Sequence, residues 1–151
     1  MTDRTPYMWL SVDPGSQHVG LAWWRGDTSV EIEELTPQQA MGRLLDRRPA
    51  RLVVEQFRLY PSHAQTLTGS TMGTSQVIGA LAWWAYQNTR PMYLQPAAIK
   101  IPTRALMRVN GDEIRPGSIH AQDAYLHGYH WIHRGRHVDR PGTIFTGVNQ
   151  D

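Results

Sequence analysis

The 151 residues carry 15 Lys+Arg against 13 Asp+Glu, a formal net charge of +2, with 40% apolar and 19% charged residues. That size and balance suit one soluble globular domain over residues 1–151, with a core at about 7–134. No apolar run approaches the ~18 residues of a membrane span, no basic-then-apolar leader opens the chain, and the absence of cysteine excludes disulfides and zinc–thiolate sites and allows a reducing cytoplasm.

The charge is uneven in kind and in place. Fourteen of the fifteen basic residues are Arg and only Lys100 is lysine. The planar guanidinium fork matches phosphate oxygens, although codon usage in a GC-rich genome accounts for the bias equally well. Arg90, Lys100, Arg104, Arg108 and Arg115 face only Asp112 and Glu113 in their interval, while Glu31, Glu33 and Glu34 cluster elsewhere. Such segregation is what a polyanion-binding surface needs.

In chain order, residues 1–6 are polar. Met8, Leu10 and Val12 alternate with Trp9, Ser11 and Asp13, the period of a strand, so Asp13 belongs to one defined face at the strand's end. Pro14-Gly15 turns the chain back into a second strand, Val19–Trp24. A carboxylate beside a buried strand end either caps its own turn or needs a cation or donors. Gly26-Asp27 turns again, and Val30–Leu35 reads as a third strand whose outward charges protect a sheet edge.

Thr36-Pro37-Gln38-Gln39 is a helix start, with a capping Thr, Pro at the first helical position and Gln39 to close a capping box. Met41, Leu44 and Leu45 mark its apolar face, and the helix stops near Arg48-Pro49. Leu52-Val53-Val54-Glu55 is apolar without alternation, the pattern of a strand buried on both faces, and a helical crossover makes it parallel. Residues 58–70 read as loop.

A long helix is expected from about Thr71 to Asn88, with Gly73, Val77, Ala80, Leu81 and Trp84 inward. Met72, Gln76, Gly79 and Trp83 form a second stripe, which either meets a partner or is covered by another part of the chain. Met92–Gln95 is a fifth strand. Pro96–Met107 reads as a short helix broken at Pro102, residues 108–117 as loop, and Ser118 caps a last helix to about Arg134. Residues 135–151 read as a loose tail. Three strands, helix, strand, helix, strand and helices make an α/β fold. It is a ribonuclease-H-like mixed five-stranded sheet, an antiparallel meander followed by parallel strands, with helices on both faces.

That architecture brings three acids toward each other: Asp13, Glu55 at the end of the parallel strand, and Asp123 in the last helix. Crowded carboxylates raise each other's pKa, and Mg²⁺, which takes oxygen ligands, relieves the repulsion. Two ions ~4 Å apart suit an in-line phosphodiester displacement. His120, three residues before Asp123 on the same side of the helix, reads as a metal ligand, a proton carrier or a solvated residue. His127, His130 and His133 are read as histidines without a role.

At these residues the sequence resembles the RuvC-like Holliday junction resolvases of the ribonuclease H superfamily. Asp13-Pro14-Gly15-Ser16 with Gly20 is similar to the family's first-strand motif. Glu55-Gln56 is similar to its second acidic motif, and Gly73, Gln76 and Gly79-Ala80 to its small-residue helix. Pro96 with Lys100 resembles its proline–lysine stretch, and His120-Ala121-Gln122-Asp123-Ala124 its closing helix. The likeness spans about residues 8–134.

The resemblance implies a homodimer that cuts four-way or otherwise branched DNA with Mg²⁺ or Mn²⁺, two ions per site, in a bacterial cytoplasm or a phage-infected host. It implies that Asp13, Glu55, His120 and Asp123 bind metal and catalyse, and that Lys100 contacts the scissile phosphate. DNA contacts would come from Phe57, Arg58, Tyr60, Lys100, Arg104, Arg108 and Arg115. Phe57 would stack on a base or simply pack in the core. Met72, Gln76, Gly79 and Trp83 would form the dimer contact. Bacterial members carry a Gly- and Lys-bearing loop and a further helix between the lysine stretch and the last helix. Here only Arg104, Arg108, Asn110-Gly111 and Arg115 stand there, so grip would rest on Arg and substrate range be broader. A ribonuclease H acting on RNA–DNA hybrids and a non-catalytic DNA-binding module of the same fold are the competing readings.

Overall fold

The alternation of large apolar and small or polar residues at the start of the chain produces a meander of β1 (Met8–Asp13), β2 (Val19–Arg25) and β3 (Thr28–Leu35). The computed structural model describes residues 8–56 and 70–134, and only the backbone of residues 70–72. After the meander come α1 (Pro37–Arg47), β4 (Leu52–Gln56), α2 (Ser70–Gln87), β5 (Met92–Pro96), α3 (Lys100–Asn110) and α4 (Ile119–His133). The sheet order is β3-β2-β1-β4-β5. The meander pairs antiparallel, while β4 runs parallel to both β1 and β5. β1 is therefore central and meets neighbours of both senses.

The pleat divides the side chains between two cores. Leu10, Val12, Leu52 and Val54 face α1 and α2, packing with Leu44, Leu81 and Trp84. Trp9, Val53 and Tyr93 face the other side, with Met107 of α3 and Leu126 and Tyr129 of α4. Asp13 shares the parity of Trp9 and Ser11, so it belongs on the α4 side. The expected β3 edge is realised. Arg43 bonds Glu33, Arg47 pairs with Glu31, and Trp23 Nε1 donates to Glu33 Oε1 at 3.1 Å.

Local signals set most boundaries. Thr36 and Gln39 form the reciprocal capping box of α1, and Ser118 Oγ accepts from the Ala121 N–H at the start of α4. Two elements differ from expectation. α3 is not broken at Pro102, because Pro102 is its third residue, where the missing N–H is one that the first turn leaves unbonded anyway. In α2 the inward face is Ile78, Leu81, Ala82, Trp84 and Ala85, while Gly73 and Ala80 are only half-buried. The helix is thus rotated slightly from the face read off the sequence. Among the described residues, no helix is long and apolar enough to cross a membrane.

α4 lies unusually close to the sheet, and this closeness positions the site. A Cβ at Gly20 would overlap the backbone of His120, and one at Gly128 would overlap the Trp24 indole. Ser11 Oγ donates to the Ala124 carbonyl at 2.6 Å and accepts from Trp24 Nε1 at 2.9 Å. A buried polar group that is fully bonded locks register as well as distance.

Candidate metal centre

Val12 is opposite Val54 across the parallel β1–β4 pair, so the next residues, Asp13 and Glu55, end adjacent strands side by side. Asp123 comes down from the first turns of α4, held by the Ser11–Ala124 bond one residue away. Asp13, Glu55 and Asp123 each present an oxygen within 4.8 Å of the others. Asp13 is only 7% exposed. Burial first, then the negative charges of Glu55 and Asp123, push its carboxyl from 3.8 up to about 7, against the opposing bond from His120.

Each carboxylate has one oxygen held by a basic group. His120 Nδ1 is 2.9 Å from Asp13 Oδ2. Glu55 Oε2 takes His127 Nε2 at 2.9 Å and Lys100 Nζ at 3.3 Å. Lys100 Nζ also reaches Asp123 Oδ2 at 3.2 Å. Burial would raise Glu55, but the His127 bond and the Lys100 charge outweigh it and hold the carboxyl below its usual value. Burial would likewise lower Lys100, yet the carboxylates of Glu55 and Asp123 raise it, so it stays an ammonium.

The structure brings Asp13, Glu55, His120, Asp123 and Lys100 into one place. Arg104 stands at its rim, 3.9 Å from Asp123 Oδ1. Arg108 is exposed on the same helix. Arg115 points elsewhere, donating from Nη1 to the carbonyl and the hydroxyl of Ser29 on β3, both at 3.1 Å. Phe57, Arg58 and Tyr60 lie outside the described residues, as does the side chain of Met72. Gln76, Gly79 and Trp83 are on α2, away from the central acids in sequence and element, with Gln76 and Trp83 exposed.

His127 corrects the sequence reading, which gave it no role. It is fully buried, with Nε2 on Glu55 and Nδ1 2.8 Å from Gln95 Oε1. Gln95 is opposite Glu55 in the β4–β5 register. Among the described residues its amide nitrogen is buried without a partner, so turning the amide lets that nitrogen donate to Nδ1 while Nε2–H donates to Glu55. The available signal was spacing, since His127 follows Asp123 by one helical turn and shares its face. His18 was also missed; its ring stacks on His120 with centroids 6.0 Å apart.

An all-carboxylate set with one member pushed up by burial and by its neighbours' charges fits a hard divalent cation such as Mg²⁺ or Mn²⁺, which takes oxygen ligands and cancels the crowding. No protein-family model matches the chain, and no curated protein matches it in sequence. Among solved structures the chain is similar to T. thermophilus RuvC in complex with a Holliday junction substrate. The TM-score is 0.65 at 17% identity, covering 89% of this chain and 99% of that one. It is also similar to a second Thermus thermophilus RuvC structure, with a TM-score of 0.58 at 16% identity over 81% of this chain and 91% of that one. The fold is RuvC-like, and so ribonuclease-H-like, as the order of elements led us to expect.

Proposed function

We propose that this chain is a divalent-metal-dependent endonuclease that hydrolyses phosphodiester bonds in four-way and other branched DNA, working as a homodimer. The observation that carries the reading is the convergence of Asp13, Glu55 and Asp123 from β1, β4 and α4 within 4.8 Å. These three side chains would hold the ion. Bound there, Mg²⁺ or Mn²⁺ supplies Lewis-acid polarisation of a phosphate and lowers the pKa of its water.

The protein's own groups divide the remaining work. His120 orients Asp13 through the 2.9 Å contact and, with its side chain 42% exposed, is accessible to exchange a proton with solvent. His127 fixes the Glu55 carboxylate from the buried side. Arg104 and Arg108, one turn apart on α3, grip phosphates next to the acids, and Lys100 neutralises charge beside the scissile group. Phe57, Arg58 and Tyr60, which directly follow β4 in the sequence, are proposed to stack and pair at the junction centre. Backbone grip and stacking, without contacts to base edges, make selection one of junction shape. The RuvC neighbour seen with a Holliday junction substrate supports branched DNA over a hybrid duplex.

The test is cleavage of a synthetic immobile four-way junction with and without Mg²⁺, beside linear duplex and RNA–DNA hybrid. We expect Mg²⁺-dependent paired cuts in the junction alone. Asp13→Asn and Asp123→Asn should abolish cutting and leave junction binding within a few-fold, because they remove metal ligands and not phosphate contacts. Hybrid cutting without junction cutting, or a fully active Asp123→Asn protein, would overturn the reading.

A further inference from the structure

We infer that Lys100 is a built-in counter-ion of the acidic cluster, so that the DNA-free protein takes up one divalent ion, not two, and the lysine sets how weakly it is held. This rests on the reading of Asp13, Glu55 and Asp123 as metal ligands. Lys100 Nζ lies between two of the three carboxylates, 3.3 Å from Glu55 Oε2 and 3.2 Å from Asp123 Oδ2. His127 Nε2 occupies Glu55 Oε2 as well, at 2.9 Å. That oxygen is therefore filled by protein donors, and a cation bridging the same two atoms would have to displace the ammonium.

Charge arithmetic agrees. With all three acids ionised the cluster is −3, Lys100 brings it to −2, and one divalent ion makes it neutral. A second ion would leave an excess of +2 in a site where Asp13 is buried.

The chain uses Arg at fourteen of its fifteen basic positions and Lys only at 100. An ammonium is a compact point charge, close to an ion in shape, where a guanidinium is a broad planar fork. Lys100 also begins α3, directly after a single 3-10 turn at Ala97–Ile99, near the helix end where the macrodipole gives a cation no advantage. Its placement is explained by the carboxylates and not by the helix that carries it.

The test is calorimetric titration of Mn²⁺ into the DNA-free protein at low salt, with thermal unfolding alongside. We expect wild type to bind one ion per chain. Lys100→Met should bind Mn²⁺ roughly tenfold more tightly or more, or gain a second ion, since a positive charge has left the ion's immediate surroundings. Its metal-free form should melt below wild type and recover at saturating Mn²⁺. Lys100→Gln should show the same gain if the Met variant does not fold, and Lys100→Arg, which keeps the charge, should show none. Two ions in wild type, or unchanged or weaker binding in both neutral variants, overturns the inference. The junction assay reads the parent proposal separately. A protein that shows the Mn²⁺ gain but cuts no junction keeps this inference, and one that cuts but shows no gain loses it. A wild type that binds no Mn²⁺ loses this inference, and the junction assay with and without Mg²⁺ still decides the parent proposal.

Discussion

Asp13 shows how a single residue can be costly to the fold and necessary to the site. Burial and the nearby Glu55 and Asp123 raise its carboxyl from 3.8 to about 7. A carboxyl with a higher pKa folded than unfolded contributes its stability fully below about pH 4 and loses it as pH rises through about 7. Above that range the ionised group opposes folding unless a cation meets it. We expect metal-free wild type to lose more thermal stability between about pH 5.5 and about pH 8 than Asp13→Asn does, by roughly 5 °C. Parallel melting curves for the two proteins in chelator would refute this. Asp13 and Glu55 were legible because they stand at the ends of patterned strands, and Asp123 because Ala121 and Ala124 set its turn of α4 against the sheet. His127 was not, because its meaning depends on Glu55 and Gln95, which only the sheet register sets opposite each other.

At the scale of elements, the site depends on how closely α4 can approach β1 and β2. Gly20 permits that approach, since any Cβ there would meet the His120 backbone. We expect Gly20→Ala to cost about 1–3 kcal/mol in urea unfolding. It should also reduce the Mg²⁺-induced rise in melting temperature, because α4 carries Asp123 and His120 outward with it. Gly42→Ala is the matched control, since nothing among the described residues lies within 4 Å of a Cβ there. It should be neutral or stabilising by up to about 1 kcal/mol. Equal effects of the two changes would show that close approach is not what Gly20 provides. Helix starts at Thr36 and Ser118 could be read from capping chemistry alone. The uninterrupted α3 could not, because a proline's effect depends on whether it falls in the first turn or later.

At the scale of the molecule, α2 keeps an aromatic surface that its own sheet does not bury. Trp83 is 50% and Tyr86 63% exposed, and their rings stack 5.8 Å apart. Trp83 with Gln76 and Gly79 belongs to the face proposed for the homodimer, which Tyr86 extends and which would set the spacing of paired cuts. We expect Trp83→Glu to shift the protein from dimer to monomer in sedimentation velocity, with the melting temperature of the monomer fold little changed. A wild type that sediments as a monomer at tens of micromolar would remove the dimer from the proposal.

From its residues alone this chain settles its strand and helix sequence, the parity that directs Asp13 toward one face, and the acids at the ends of two strands. These follow from the two-residue pleat, the helical turn and capping groups, all of which act within a few residues. Only the tertiary structure decided that Lys100 bridges Glu55 and Asp123, that His127 backs Glu55, and that Arg115 is tied to Ser29. Those contacts join residues 23 to 86 positions apart. Such partners are chosen by sheet register and helix phase together, and local sequence does not encode either one by itself.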